Sequence, residues 1–328
     1  MTEAKGEFKN RNLVKSFNSE SKYTITKLTQ ILGLSRQTIK KRFDDLKIEK
    51  IISNFTININ PNILPINLKY VLVEIKTNPN EPELLENLLK ISQLKILDGI
   101  LGEYSLFALF IFHSPEEYYQ VLSLIDKIMA QSYFKKYHII ETIKVFKTNG
   151  IELNENTIDQ NFEIDSIDYV ILKILQDNQK LKPISTYEIK DIIKEKYKDF
   201  LSEMNRQEIS QSTIHNRIKK LEKNNVILNY ALNFCPKKIG FRGKYLVRIK
   251  PKDPSKYNEI ALNLENNSFI TDLFRIGEQH GLFAIVRVKK VEDYAKFIKI
   301  LYQSDEIEDT FTSFVLDELK TYTNFVIY

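Results

Sequence analysis

The chain has 328 residues, of which 43% are hydrophobic and 11% aromatic, a composition that excludes a disordered polypeptide and predicts two to four compact domains. The formal net charge of +5 is mildly basic and permits a nucleic-acid partner without requiring one. The single cysteine, Cys235, excludes an intrachain disulfide and a multi-cysteine metal site. Because the N-terminus lacks the apolar core of a signal peptide and no apolar run is long enough to cross a membrane, we expect a cytoplasmic protein with no membrane partner. We also expect no cofactor.

The first predicted elements are three short helices and a β-like stretch. A weak helix around residues 12–18 precedes the helix TITKLTQIL, a Gly-Leu turn at Gly33, and a third helix that begins at Ser35. The stretch IISNFTININ follows. Two short helices joined by a tight turn, with the second helix cationic, are typical of a helix-turn-helix. We assign a winged or helix-turn-helix DNA-binding domain to residues 1–62.

The third helix has the composition of a DNA-reading helix. Ser35 suits its N-cap, and Ile39, Phe43 and Leu46 form one apolar face at helical spacing. The other face is cationic, and Lys and Arg neutralise phosphates, whereas Gln pairs with adenine. Arg42 has two open roles, since it either binds phosphate or braces the fold. The candidate DNA contacts of this helix are Ser35, Arg36, Gln37, Thr38, Lys40, Lys41 and Arg42.

From Leu68 the pattern changes to strand, helix, strand, strand, helix, strand. The strands are KYVLVEIK, LKILDGIL, SLFALFIF and HIIETIKVFK, and the helices are PELLENLLKIS and PEEYYQVLSLIDKIM. This order predicts a ferredoxin-like α+β sandwich, four antiparallel strands with helices on one face, over residues 66–149. The polar stretch at 150–164 is predicted to be a linker.

The same plan follows in the second half of the chain. A helix-turn-helix domain is predicted over 165–236, with a clear first helix DSIDYVILKILQDNQK and an insertion of about 14 residues, KEKYKDFLSEMNRQ, before its reading helix. A second sandwich is predicted over 240–328. Arg217 has the same two open roles as Arg42, and His215 is either a base reader or an exposed residue. The candidate DNA contacts here are Ser210, Gln211, Ser212, Thr213, His215, Asn216, Arg217, Lys219 and Lys220.

The two halves are similar in sequence as well as in plan. SRQTIKKRFDDL and SQSTIHNRIKKL fit one template, S-x-x-T-I-x-x-R-(F/I)-x-x-L, and begin 175 residues apart at Ser35 and Ser210. KYVLVEIK matches KYLVRIK, and GEYSLFAL matches GEQHGLFAI, at nearly the same offset. Several matches in order predict a tandem duplication.

This combination resembles the Lrp/AsnC (feast/famine) transcription regulators, a resemblance carried by the S-x-x-T-(V/I)-x-x-R-(I/F)-x-x-L skeleton and by GEYSL. It implies that sandwich domains pair face to face, that oligomers form, and that amino acids or similar small effectors bind near the Gly-Glu turns. We therefore expect one chain to fold as a pseudo-dimer, its two sandwiches paired within the molecule. The implied effector residues are Gly102, Glu103, Tyr104, Ser105, Gly277, Glu278, Gln279 and His280.

The turns depart from the family pattern in one respect. The family usually has an Asp shortly after the Gly-Glu-aromatic step, where this chain has Ser105 and Gln279-His280. Binding of a free amino acid through that acid is therefore not expected. Gly102 and Gly277 have a second interpretation, as glycines whose tight turns require a positive φ.

The function predicted from these patterns is a sequence-specific regulator of transcription that binds double-stranded DNA and is not an enzyme. No phosphate-binding loop is present, and the four histidines, at positions 113, 138, 215 and 280, are scattered without ligand spacing. Two alternatives remain open. One is a tetrapyrrole enzyme similar to the siroheme decarboxylases, which share this architecture; the other is a protein-binding adaptor whose first DNA reader is impaired.

Overall fold

A computed structural model describes residues 12–18, 25–63, 66–78, 80–153, 163–177, 180, 182, 184–203 and 208–328. These residues fall into two compact units. Unit 1 is formed from the described parts of 1–65, 154–239 and 322–328, and unit 2 from those of 66–153 and 240–321. We call residues 66–153 the N-half of unit 2 and residues 240–321 its C-half.

The helices and strands follow the predicted order. Up to residue 153 they are α1 (residues 12–17), α2 (Ile25–Leu32), α3 (Arg36–Ile48), β1 (Ile52–Ile59), β2 (Lys69–Ile75), α4 (Pro82–Leu89), β3 (Leu94–Ile100), β4 (Leu106–Phe112), α5 (Pro115–Ala130), β5 (Tyr137–Thr148) and β6 (Ile151–Glu152). Thereafter they are α6 (Ser166–Gln176), α7 (Thr186–Lys196), α8 (Lys198–Glu203), α9 (Gln211–Lys223), β7 (Ile227–Phe234), β8 (Gly243–Pro251), α10 (Tyr257–Glu265), β9 (Ile270–Ile276), β10 (Leu282–Val288), α11 (Val291–Tyr302) and β11 (Ile307–Glu318). In the described part of the chain, no helix is long and apolar enough to cross a membrane.

Unit 1 is built around a two-stranded antiparallel sheet. β1 pairs with β7, with Phe55 opposite Leu232. The rings of Phe17, Phe43 and Phe55 meet edge to face at centroid distances of 4.7 to 5.7 Å, a geometry that suits the ring quadrupoles. This aromatic cluster joins α1, α3 and β1 into one core. α8 lies within the inserted segment of this unit, and residues 204–207 of that segment are outside the described residues.

Unit 2 contains one continuous antiparallel sheet with strand order β2-β4-β3-β11-β8-β10-β9-β5-β6, and β2 also pairs with β5. Each half has the ferredoxin-like order, β5-β2-β4-β3 in the N-half and β11-β8-β10-β9 in the C-half. Separate apolar cores lie beneath α4 and α5 in the N-half and beneath α10 and α11 in the C-half.

The last strand of each half belongs to both halves. β5 pairs with β2 up to Glu141 and with β9 from Thr142 onward. β11 pairs with β8 up to Phe314 and with β3 from Val315 onward. Because β3 and β9 would otherwise be edge strands with unpaired backbone groups, this exchange satisfies both edges within one molecule.

The predicted linker at 150–164 is wrong at its start. Asn149 and Gly150 form a two-residue turn with φ values of 49° and 77°, and Ile151 and Glu152 return to pair with the end of β5 as β6. An Asn-Gly pair favours this hairpin turn because both of its central residues need a positive φ. Residues 154–162 lie outside the described part of the chain.

Asn18 offers a test of the core of unit 1. Its completely buried side chain donates from Nδ2 to the carbonyl oxygen of Leu232 and accepts from the Leu232 N–H, both at 2.8 Å. We expect Asn18→Ala to lower the free energy of unfolding by about 3 kcal/mol, because it leaves two buried backbone groups without partners. Denaturant unfolding measures this, with Lys15→Ala on the exposed face of α1 as the control at under about 0.5 kcal/mol. Equal losses in both variants would contradict the assignment.

Candidate nucleic-acid interface and ligand pocket

The reading helix of the first copy is α3. Ser35 caps it as predicted, its hydroxyl accepting from the Thr38 N–H at 3.1 Å. Ile39, Phe43 and Leu46 are buried beneath it. Arg42 is partly buried, and the remaining candidate DNA contacts, Ser35, Arg36, Gln37, Thr38, Lys40 and Lys41, are exposed.

α9 repeats this geometry. Ser210 accepts from the Thr213 N–H at 3.1 Å, and its hydroxyl also lies 2.8 Å from that of Ser212. Ile214, Ile218 and Leu221 are buried, whereas His215 and Asn216 are exposed. Three further candidates are exposed but already have neighbours: Gln211 donates to the Thr186 hydroxyl at 2.9 Å, Lys219 lies 3.1 Å from Glu222, and Lys220 lies 3.3 Å from the Glu163 carbonyl.

Arg217 does not share the exposed face of α9. Its Nη1 contacts Asp165 at 2.8 Å and the buried Asp168 at 2.9 Å. Asp165 also caps α6 by accepting from the N–H groups of Ile167 and Asp168. Of the two roles left open for Arg217, these contacts support bracing, because the guanidinium ties α9 to the N-terminus of α6.

A cavity of about 460 Å³ lies in unit 2 between the two Gly-Glu turns. Its size suits a small molecule. The N-half and the C-half both contribute to its wall. The residues around it are Glu74, Ile100, Leu101, Gly102, Glu103, Tyr104, His138, Arg248, Glu278, Gln279, His280, Phe311 and Ser313.

Arg248 is the centre of the charges in this cavity. Its Nη2 lies 2.8 Å from Glu74, and its Nε lies 3.1 Å from Glu278. His138 contacts the same two carboxylates, with Nε2 3.2 Å from Glu278 and Nδ1 3.7 Å from Glu74. The Arg248 guanidinium also lies 5.6 Å from the ring centroid of Phe311, within cation–π range. Burial tends to lower the pKa of Arg248, but Glu74 and Glu278 raise it, so the cation persists.

The outer wall of the cavity carries a second ion pair. Lys136 lies 2.6 Å from Glu103 and 5.3 Å from the centroid of the Tyr104 ring, which stacks on His138 at 6.2 Å. The hydrogen bond from Lys136 holds the pKa of Glu103 below its usual range. Glu103 is therefore ionised at neutral pH.

Six of the eight implied effector residues line the cavity, and Ser105 and Gly277 do not. The Ser105 hydroxyl is engaged by the Thr77 N–H at 2.8 Å, and the Gly277 N–H donates to the Glu141 carbonyl at 3.1 Å. The positive φ expected at both glycines occurs at Gly102, with φ of 148°, but not at Gly277. In the C-half the added residue moves the left-handed conformation to Gly281, with φ of 76°.

Sequence reasoning missed Glu74, His138 and Arg248. The available signal was a charged residue inside an otherwise apolar strand, Glu74 in KYVLVEIK and Arg248 in KYLVRIK. The description of the histidines as scattered was incomplete, because His138 and His280 line the same cavity. Within the described ranges, no group of three or more His, Cys, Asp or Glu side chains is placed to hold a metal ion.

Comparisons with known proteins match the chain to one family of regulators. A family model described as the Lrp/AsnC ligand binding domain matches residues 245–325. The HTH-type transcriptional regulator LrpA of Pyrococcus abyssi is 30% identical over 115 residues, covering 34% of this chain and 79% of the relative. The HTH-type transcriptional regulator FL11 of Pyrococcus horikoshii is 28% identical over 164 residues, covering 50% of this chain and 97% of the relative.

Some solved structures are similar over nearly the whole length of the chain. The siroheme decarboxylase NirDL covers 96% of this chain and 92% of its own, with a TM-score of 0.56 and 10% sequence identity. At that identity the likeness concerns the fold alone.

Two capped helices of one template, together with a ferredoxin-like sheet around a cavity, match the construction of helix-turn-helix regulators. The chain belongs to the Lrp/AsnC family. The FL11 relative matches only half of it, so the chain is about twice the length of that regulator.

His280 offers a test of the cavity. Its pKa is lowered from 6.5 by burial and by the Arg248 charge, against the opposing effect of Asp309. We expect an NMR titration to place its pKa below 6.5, and Arg248→Met to raise it. Because the folded-state pKa is lower than the unfolded one, the stability gained from neutral His280 is present above pH 6.5 and is lost as the pH falls. The signal of His280 is identified by its loss in the His280→Asn variant. A measured pKa above 6.5 for His280 would contradict the described environment.

Proposed function

We propose that the protein binds double-stranded DNA in a sequence-specific way through α3 and α9 and regulates transcription. The observation that carries this proposal is the shared construction of the two helices. Each has a serine N-cap, three buried aliphatic or aromatic residues, and an exposed face with cations and an amide. Lys40 and Lys41 supply phosphate contacts, and Gln37 and Asn216 supply base contacts in the major groove.

We further propose that the chain is a tandem duplication that acts as a pseudo-dimer. Equivalent strand exchanges, β5 with β9 and β11 with β3, support this arrangement. A symmetric dimer reads a palindrome because its two helices are identical. Here the exposed residues of α3 and α9 differ, so the operator has two unlike half-sites.

The cavity at the Gly-Glu turns is the proposed site for a small-molecule effector. Arg248 can bind an anionic group and the carboxylates a cationic one, so a small polar ligand fits its chemistry. Assembly into a homo-oligomer is part of the same proposal, by analogy with the family.

The second candidate function is a tetrapyrrole enzyme, favoured by the fold likeness to NirDL. The charges in the cavity weigh against it. Siroheme carries many carboxylates, whereas the cavity presents Glu74, Glu103 and Glu278 with Arg248 already paired to two of them. The adaptor alternative assumed an impaired first reader because the first helix is weak and short. α1 forms over residues 12–17, and its Phe17 packs on Phe43 of α3 at 5.6 Å, which weighs against that assumption.

The salt dependence of DNA binding tests the first proposal. If about six phosphates are contacted, raising salt from 50 to 200 mM weakens binding about a thousandfold. Lys40→Ala with Lys41→Ala should weaken binding to every sequence and reduce the log–log salt slope by about 2, because two counterion-releasing contacts are lost. Fluorescence anisotropy measures both. Lys90→Ala with Lys127→Ala removes the same charge from unit 2 and serves as the control; an equal effect there would contradict the assignment.

Selection from random double-stranded DNA tests the pseudo-dimer. We expect a recovered motif with two unlike halves. Gln37→Ala should relax base preference in one half and Asn216→Ala in the other, each by about 1–3 kcal/mol, since each removes one base-edge contact. A palindrome, or one half altered by both variants, would contradict the proposal. No enrichment, combined with tetrapyrrole binding detected by absorbance, would favour the enzyme.

A further inference from the structure

Strand register identifies equivalent positions in the two halves of unit 2. Glu74 of β2 lies opposite Phe107 of β4, and Arg248 of β8 lies opposite Phe283 of β10. The rings of Phe107 and Phe283 stack on each other with centroids 5.5 Å apart. Glu74 and Arg248 therefore occupy the same position in the N-half and the C-half, yet they carry opposite charges and form an ion pair at 2.8 Å.

A second buried ion pair also joins an acid of the N-half to a base of the C-half. Asp98 of β3 lies 2.5 Å from Lys244 of β8, and both side chains are almost fully buried. Glu318 lies 3.7 Å from Lys244 and contacts Arg287 at 3.0 and 2.7 Å. Asp98 is the one member of this group that the N-half contributes. Without it Lys244 would lose its nearest carboxylate, because Glu318 lies closer to Arg287 than to Lys244.

The equivalent group on the other side of unit 2 is uncharged. On that side, Tyr70 and Phe274 occupy the positions equivalent to Lys244 and Asp98, and their rings lie 5.7 Å apart. The register also shows that Tyr70, not Lys69, is the counterpart of Lys244, although the sequence aligns the two Lys-Tyr pairs. The positions equivalent to Lys244, Asp98, Arg287 and Glu318 are occupied by Tyr70, Phe274, Ile111 and Val145.

We infer that these residues form an acid–base pairing code that joins an N-half to a C-half and rejects two halves of one kind. The inference rests on the proposed pseudo-dimer. In both pairs the N-half supplies the acid, Glu74 or Asp98, and the C-half supplies the base, Arg248 or Lys244. The surface that a family homodimer uses for a second copy is thereby reserved for the other half of the same chain.

Both wrong pairings would bury unpaired charge. Two N-halves would place Glu74 against Glu74, and would bury Asp98 against Tyr70 with no cation. Two C-halves would place Arg248 against Arg248, with only the Glu278 carboxylate of each half beside them, and would leave Lys244 facing Phe274. An ion buried without its partner is strongly destabilising, because the desolvation cost is not offset by attraction.

The test uses three full-length variants. Glu74→Arg makes both positions basic, Arg248→Glu makes both acidic, and the double variant E74R/R248E exchanges the charges. Each single variant should melt about 10 °C below the wild type, and the double variant should regain most of that loss. If the singles melt like the wild type, or the double is no better than the singles, the code is wrong.

Coexpression of E74R with R248E tests selectivity itself. Across two chains, Glu74 of the R248E chain can meet Arg248 of the E74R chain, and the two introduced side chains, which also have opposite charges, can meet each other. Native mass spectrometry of chains with tags of different mass should therefore show mixed pairs well above the 1:2:1 statistical ratio, with a recovered melting temperature. Two tagged wild-type chains are the control and should show no excess of mixed pairs, because each wild-type chain forms both ion pairs within itself. If the singles are insoluble alone, soluble mixed pairs on coexpression still support the code.

A statistical ratio, or no soluble mixed pair while E74R/R248E folds, would leave Glu74–Arg248 as an ordinary ion pair and overturn the inference. These measurements contain no DNA. Failure of the wild type to bind DNA would overturn the proposed function without affecting this result.

Discussion

The exchange of β5 and β11 between the two halves is the constraint on which unit 2 depends. A ferredoxin-like sheet standing alone exposes two edges of unpaired N–H and C=O groups. Here each last strand pairs within its own half and then crosses to the edge of the other, at Thr142 and at Val315. The two Gly-Glu turns thereby come to line one cavity, so the candidate ligand site requires both halves.

The two halves of unit 2 have similar backbones but different side chains at equivalent positions. The backbone register of the two halves is nearly identical, but the side chains at equivalent positions differ in charge. A chain with two unlike halves can carry such differences, whereas a homodimer cannot, because in a homodimer any substitution appears on both sides. The same reasoning applies to α3 and α9, whose shared caps and buried faces preserve the fold while their exposed residues differ.

The cavity and the reading helices differ in what holds their side chains. Around Arg248, the carboxylates of Glu74 and Glu278, the imidazole of His138 and the ring of Phe311 fix one geometry. On α3, by contrast, Gln37, Lys40 and Lys41 extend into solvent. Flexible cations suit phosphate contacts at low cost, whereas a rigid cavity with fixed charges suits the binding of one kind of small ligand.

The sequence by itself determined the order of the elements, the two capped helices and the apolar faces beneath them, because helical spacing and capping are local properties. The Asn-Gly hairpin after β5 was equally local and was overlooked. Only the tertiary structure decided the sheet order and the partners of Arg217, Glu74, His138, Arg248 and Asp98. Those contacts join residues far apart in the chain, and no pattern along one strand reveals which strand will lie beside it.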